Sequence, residues 1–308
     1  MTTPDIIVPR ITIPSALRVF RLTEVKEEPG GKLVVNSDDL IAALKDRTDP
    51  YTRRDDIALY VPYIARARFE PGKGAFRTDV ERAQKLNSLG VRPKELLGLL
   101  KHSTLTLANG MTATTQPSDV DVVLNRMATK IARAIGGHEE GVDLVTYPES
   151  SSDMAQRLAA RVAELLDAPL VDAVTVKRSA AEVEVDPEEM DLYRTQYRDA
   201  EEVNSRINKT IKGWRKTNRI PATKGLQHPW RRFVNLHKPG KNIGSIAGKV
   251  VLVVDDNVDR AYTLGWIERT LRTRTVRNGV AMDGARHVYL AAGWDYSGGA
   301  IKKPQFID

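Results

Sequence analysis

The segment GKVVLVVDDNVDRAYTL, Gly248 to Leu264, constrains the fold more than any other stretch, because it joins an apolar strand to two adjacent carboxylates and then to a helix. The consecutive apolar residues Val250 to Val254 read as a central parallel strand, buried on both faces. Asp255 and Asp256 then emerge at its carboxyl end, where open α/β sheets place their ligands. Paired carboxylates there can hold a divalent cation or accept hydrogen bonds from sugar hydroxyls. Amides at the next helix start can cradle a phosphate. The combination points to a phosphorylated sugar.

Three further segments follow the same strand-then-helix logic. Asp143 to Leu166 reads as a short strand, a Ser-rich turn and a periodic helix. Met154, Leu158, Val162 and Leu165 fall on one stripe, and Ser152 or Asp153 stands where an N-cap belongs. By itself the Ser-Ser-Ser-Asp run is a helix cap. Ala173 to Ser179 is a strand-like alternation ending in Lys177 and Arg178, and His287 to Trp294 is a further strand.

In this order the pieces resemble the type I phosphoribosyltransferase family, whose phosphoribosyl diphosphate signature is an apolar strand, two acidic residues and a Thr/Gly-rich loop. The strand and the Asp pair match, and Thr263 falls where the final Thr of that loop stands. Asp259, Arg260, Ala261 and Tyr262 occupy the positions of Thr, Thr, Gly and a small residue. A side chain in place of that Gly limits how closely the backbone approaches a 5′-phosphate. Either Arg260 supplies the charge instead, or the site has been repurposed.

The resemblance implies an α/β fold with a parallel sheet of phosphoribosyltransferase type. It implies displacement of pyrophosphate from phosphoribosyl diphosphate by a nitrogen nucleophile, with Mg²⁺ as cofactor. In that reading Asp255 and Asp256 are the catalytic and metal-binding residues. Ser150, Ser151, Ser152, Lys177 and Arg178 receive the pyrophosphate, and Arg260 with Thr263 holds the 5′-phosphate. Some proteins of this fold are instead regulators that bind nucleic acid and sense a nucleotide or phosphoribosyl diphosphate. The stretch from Ile57 to Phe76 is faintly similar to ribose-phosphate pyrophosphokinases, a third reading.

The core is expected over residues 141–308, with residues 1–140 as an amino-terminal accessory or hood region. The connection over 180–247 is far longer than the usual few residues between elements and reads as a partly helical insertion, a lid or docking arm. Within the hood, Ile11 to Val25 and Lys32 to Asn36 look strand-like, and Ser37 to Leu44 looks like a capped helix. Asp79 to Gly90 and Asp119 to Ile135 read as helices, the latter with Val122, Val123, Met127 and Ile131 on its apolar face.

The formal net charge of +7 is unevenly distributed, with the basic excess in one segment. From Val203 to Val254 there are twelve Lys or Arg and no Asp or Glu, whereas Glu182 to Glu202 holds nine acids. Asp186 to Lys216 reads as one long helix, capped by Asp186 and started by Pro187, with acids first and bases last. The two halves can pair with each other or with a second subunit of a homo-oligomer. Aromatic residues interleaved with the cations also fit nucleic acid. The candidate contacts are Lys209, Lys212, Arg215, Lys216, Arg219, Lys224, Arg231 and Arg232.

Composition excludes several classes. The chain has 308 residues and no cysteine, which rules out disulfides, thiol catalysis and cysteine metal sites. No apolar run approaches 18 residues, and the amino terminus lacks the basic start and apolar centre of a secretory signal, so a cytoplasmic protein is expected. His102, His138 and His287 show no metal-like spacing.

Overall fold

The computed structural model describes residues 27–28, 32–42, 45–46, 51–54, 57–60, 63–64, 93–106, 112–150, 152–218, 221–222, 225–226, 228–258, 262–277 and 280–295. The predicted strand Ile11 to Val25 and the predicted helix Asp79 to Gly90 lie outside these residues, as do Ser151, Arg219, Lys224 and Arg260.

Among the described residues the first elements are β1 (Glu27–Glu28), β2 (Lys32–Val34), α1 (Ser37–Ala42), β3 (Lys45–Asp46), β4 (Tyr51–Arg54), β5 (Ile57–Tyr60) and β6 (Tyr63–Ile64). It continues through α2 (Pro93–His102), β7 (Thr104–Thr106), β8 (Thr112–Thr114), α3 (Pro117–Ile135), β9 (Leu144–Thr146) and α4 (Met154–Leu165). The insertion follows as β10 (Thr175–Lys177), α5 (Pro187–Gln196), α6 (Ala200–Thr217), a 3₁₀ turn (His228–Phe233) and β11 (His237–Pro239). The last elements are β12 (Val250–Val258), α7 (Tyr262–Arg272), β13 (Thr275–Arg277), β14 (Val280–Met282) and β15 (His287–Asp295).

The main sheet has the order β3-β6-β15-β12-β9, with β5 also paired to β15 and β4 to β5. β12 lies between β9 and β15 and is parallel to both. The apolar run from Val250 to Val254 is buried throughout, as a strand covered on both faces requires. Val250, Leu252 and Val254 join one core with residues of α2, α3 and α4, whereas Val251 and Val253 join another with Leu264, Ile267 and Leu271 of α7. The result is a mixed α/β architecture with helices on both faces of a largely parallel sheet. Strands of the amino-terminal region also enter it, since β5 and β6 pair parallel with β15.

Register is set where β9 and β12 begin. The Asp143 amide donates to the Val250 carbonyl at 2.9 Å, and the Val250 amide returns a hydrogen bond to Asp143 Oδ2 at 2.7 Å. Beyond β9 the chain passes through α4 to Leu170, which bridges Val145 in parallel on the outer side of β9. It then crosses to β12 on the inner side. Strand order therefore reverses between β9 and β12, and in open α/β sheets ligands bind outside the carboxyl ends at such a switch point.

Several expectations are corrected. The strand expected at Ala173 to Ser179 forms as β10, but it pairs antiparallel with β11 instead of entering the main sheet, where the chain makes a single parallel bridge at Leu170. The single helix predicted from Asp186 to Lys216 is two helices, broken at Tyr197, whose backbone is extended. Tyr193 OH donates to Asp199 Oδ1 at 3.0 Å just before α6, and Tyr193 stacks on Tyr197 with ring centroids 4.4 Å apart. The break folds α6 back, so that Val203, Ile207, Ile211 and Trp214 join Met190 and Phe233 in a third core. A straight helix would leave that stripe in water. Asp186 does cap α5, accepting from the Glu189 amide at 3.0 Å. On α3 the buried stripe contains Val120 and Leu124, and Val122 is 48% exposed.

The insertion thus has its own core and is fastened to α7. Arg269 Nη2 lies 2.5 Å from Glu188 Oε2, and Arg269 Nη1 is 3.4 Å from Glu189 Oε1. Trp266 Nε1 donates to the Arg231 carbonyl at 3.4 Å.

Candidate functional site

Asp255 and Asp256 leave the buried part of β12 at the switch point. Asp256 is 3% exposed. Its Oδ1 accepts from Asn257 Nδ2 at 2.5 Å, and its Oδ2 lies 2.5 Å from Lys101 Nζ. The Asp256 amide donates to Asp255 Oδ1 at 2.8 Å. Burial raises the Asp255 carboxyl well above the usual carboxylate range, and the adjacent Asp256 charge and a hydrogen bond between the two side chains raise it further. Lys101 and the Asp256 amide oppose that rise without cancelling it. The pair therefore holds one negative charge more readily than two.

Lys101 is the residue that sequence reasoning missed. It lies in the last turn of α2, in the amino-terminal half of the chain, and nothing local marks it among the other lysines. Only the three-dimensional fold brings α2 to the end of β12. The connection runs through Thr115, whose amide donates to the Ser103 carbonyl at 2.9 Å and so ties the end of α2 to the start of α3.

Two helix starts open at the same end of the sheet. Arg157 of α4 reaches Asp121 of α3 at 2.8 Å, and Arg161 reaches Asn125 at 2.6 Å, so the two helices run side by side in the same direction. Neither N-cap residue, Gln116 or Asp153, makes a side-chain hydrogen bond to the helix. The cap predicted at Ser152 or Asp153 is thus positioned at Asp153 but not formed. First-turn amides without a capping acceptor are suited to an anion, which applies to α4; α3 begins with Pro117, which has no amide hydrogen, and its Asp119 amide already donates to the Gln116 carbonyl at 3.0 Å. Thr146 Oγ1, Ser152 Oγ and Thr115 Oγ1 are buried and have no hydrogen-bond partner among the described residues. Ser150 is exposed, and the Ser152 amide reaches its Oγ at 3.5 Å. Thr263 is half-buried in the first turn of α7.

Lys177 and Arg178 stand on the β10–β11 hairpin. The Lys177 amide donates to Glu149 Oε2 at 2.7 Å, which links the hairpin to the loop after β9. The Arg178 guanidinium is turned to the His237 carbonyl at 3.2 Å and the Glu182 carbonyl at 3.5 Å, so its donors serve the hairpin itself. Between them lies His237, 3% exposed, with both ring nitrogens lacking a hydrogen-bond partner among the described residues. Burial, followed by the charges of Lys177 and Arg178, lowers its pKa to about 4.

The predicted basic interface divides. Arg232 is 6% exposed, 3.7 Å from Glu189 Oε2 and stacked over Phe233, which removes it from a solvent-facing surface. Arg215 donates to the Ala180 and Val183 carbonyls at 3.2 and 2.8 Å, and Arg231 to the Leu226 carbonyl at 3.2 Å. Lys209, Lys212 and Lys216 remain as one exposed stripe of α6, opposite its buried residues.

A divalent cation does not fit the carboxylate pair as it stands. Two of its four oxygens accept hydrogen bonds, from the Asn257 side chain and the Asp256 amide, and a third, Asp256 Oδ2, accepts none among the described residues but lies against the Lys101 ammonium at 2.5 Å. Among the described residues no group of three His, Asp or Glu could hold a metal ion. No helix among them is long and apolar enough to cross a membrane.

No protein-family model and no curated protein matches the chain. Among solved structures it is similar to a hypothetical protein from Neisseria gonorrhoeae with bound ppGpp, at 14% identity and a TM-score of 0.32, over 62% of this chain and 76% of that one. It is also similar to the hypoxanthine phosphoribosyl transferase of Trypanosoma cruzi, at 15% identity and a TM-score of 0.25, over 56% and 73% of the two chains. At such scores the functional reading rests on the sheet order and the site residues themselves.

Proposed function

We propose that the switch point binds a phosphorylated ribose and that the protein is a phosphoribosyltransferase-like enzyme. The observation that carries this reading is the acidic pair at the carboxyl end of β12, beside two helix starts without side-chain caps. Carboxylates suit ribose hydroxyls, and free first-turn amides suit phosphates. In the reaction a nitrogen nucleophile attacks the anomeric carbon, the bond to the diphosphate oxygen breaks, and diphosphate leaves. Positive charge grows on the sugar and negative charge on the leaving group, so fixed charges of opposite sign on either side lower the barrier. Asp256 offsets the sugar charge, while Asp255, protonated more readily, can donate to or accept from a hydroxyl. Ser150 and Ser152 with the α4 amides receive diphosphate, and Thr263 receives the 5′-phosphate. The acceptor is a free base or a base within nucleic acid.

Calorimetric titration with phosphoribosyl diphosphate tests the site, using the wild type and the Asp255→Asn, Asp256→Asn double variant. Binding by the wild type that the variant loses supports the reading, and release of pyrophosphate with an acceptor base establishes the enzyme. Binding without turnover of any base supports the second reading, a nucleotide-sensing regulator that contacts nucleic acid. The exposed stripe of Lys209, Lys212 and Lys216 favours that alternative.

A further inference from the structure

The carboxylate that the reading above assigns to the sugar is already matched by a cation of the protein. Lys101 Nζ is 2.5 Å from Asp256 Oδ2, and the two side chains are 21% and 4% exposed. The lysine therefore reaches the pair from the solvent side of a buried acid. It arrives on α2, whose end is pinned to the start of α3 through Ser103 and Thr115, so its approach is built into the fold. Asn257 holds the other Asp256 oxygen, and among the described residues the Lys101 ammonium is the cation paired with that carboxylate. A lysine on a four-carbon stem is a point charge that can follow a phosphate or hydroxyl without leaving the site.

We propose that Lys101 fills the place of a divalent cation at the acidic pair, so that this site takes up a ribosyl phosphate without metal and with Lys101 as a binding residue. The inference rests on the sugar-phosphate reading but differs from it in the metal. Incoming hydroxyls compete for Asp256, and the displaced ammonium turns to the anionic groups of the ligand. The amino-terminal region thereby becomes part of the site rather than a separate accessory.

The experiment is calorimetry of the full chain with ribose 5-phosphate, once in EDTA and once in excess Mg²⁺, on the wild type, Lys101→Arg and Lys101→Met. The expected result is a wild-type affinity equal within about twofold in the two buffers, and a loss of at least tenfold in Lys101→Met in EDTA that Mg²⁺ partly restores. Lys101→Arg keeps the charge and stays independent of metal. The wild-type comparison needs no variant, and it decides the matter even where Lys101→Met does not fold. A wild type whose affinity falls tenfold or more in EDTA overturns the inference while leaving the sugar-phosphate site standing. No binding in either buffer overturns both.

Discussion

Lys101 Nζ and Asp256 Oδ2 stand 2.5 Å apart, an ion pair that joins the amino-terminal half of the chain to the end of the central strand. Removing one partner of a buried pair leaves an uncompensated charge, which costs more than the pair itself contributes. Because Lys101 is partly exposed, Lys101→Met is expected to destabilise by about 3 kcal/mol, the low end for broken buried pairs. The Lys101→Met, Asp256→Asn double variant should recover part of that loss. Urea unfolding of Lys101→Met, Asp256→Asn and the double variant gives the coupling, and additive losses would show that the two charges do not depend on each other.

His237 makes stability depend on pH. Its folded-state pKa of about 4 lies below the ordinary value of 6.5, because its buried ring pays for any charge. The unfolded chain thus binds the proton first as pH falls, so stability is full above pH 6.5 and declines towards pH 4. The shift corresponds to about 3 kcal/mol. His237→Phe should flatten that part of the profile, as followed by urea midpoints between pH 4 and 8. An unchanged slope would place the pH dependence on other groups.

Gly240 packs against the backbone of Ala173. A Cβ on Gly240 would lie 2.1 Å from the Ala173 carbonyl oxygen, a contact that only movement of the β10–β11 hairpin could relieve. Gly240→Ala is therefore expected to lower stability by about 2 kcal/mol or more. Thermal unfolding measures it, and a change within 0.5 kcal/mol, the range of an ordinary surface substitution, would contradict the packing.

Two classes of cation on the insertion should behave differently. Lys209, Lys212 and Lys216 face solvent, whereas Arg215 is spent on the Ala180 and Val183 carbonyls. If the insertion contacts nucleic acid, changing the three lysines to Glu should weaken binding of a single-stranded oligonucleotide and flatten its salt dependence without altering unfolding. Arg215→Ala should instead lower stability, since the carbonyls lose their donors. Fluorescence anisotropy across salt concentrations, with thermal unfolding alongside, separates the two.

The fastening of the insertion to α7 is also open to test. Arg269 faces Asp186, Glu188 and Glu189 at once, at 3.8, 2.5 and 3.4 Å. Arg269→Ala should increase proteolytic cleavage within 186–218 more than elsewhere, with a loss of global stability of about 1 kcal/mol for a partly exposed network. Uniform cleavage across the chain would argue against a separately docked unit.

The sequence by itself determined the strand from Val250 to Val254, the acids that follow it, the helix after the Ser-rich turn and the cap at Asp186. Each is a local pattern, set by side-chain period or by a hydrogen bond within a few residues, and so can be read without knowing what lies nearby. Tertiary structure alone decided the rest. Lys101 came to Asp256 because the Thr115–Ser103 backbone hydrogen bond holds the end of α2 at the start of α3, and the helix predicted from Asp186 to Lys216 broke because its apolar stripe had to fold back onto Met190 and Phe233. Arg232 and Arg215 carry the same charge as Lys209, yet burial of Arg232 and the carbonyls that Arg215 reaches gave them structural work. Charge and hydrophobic period are properties of the chain, but the partner of each side chain depends on contacts between distant segments.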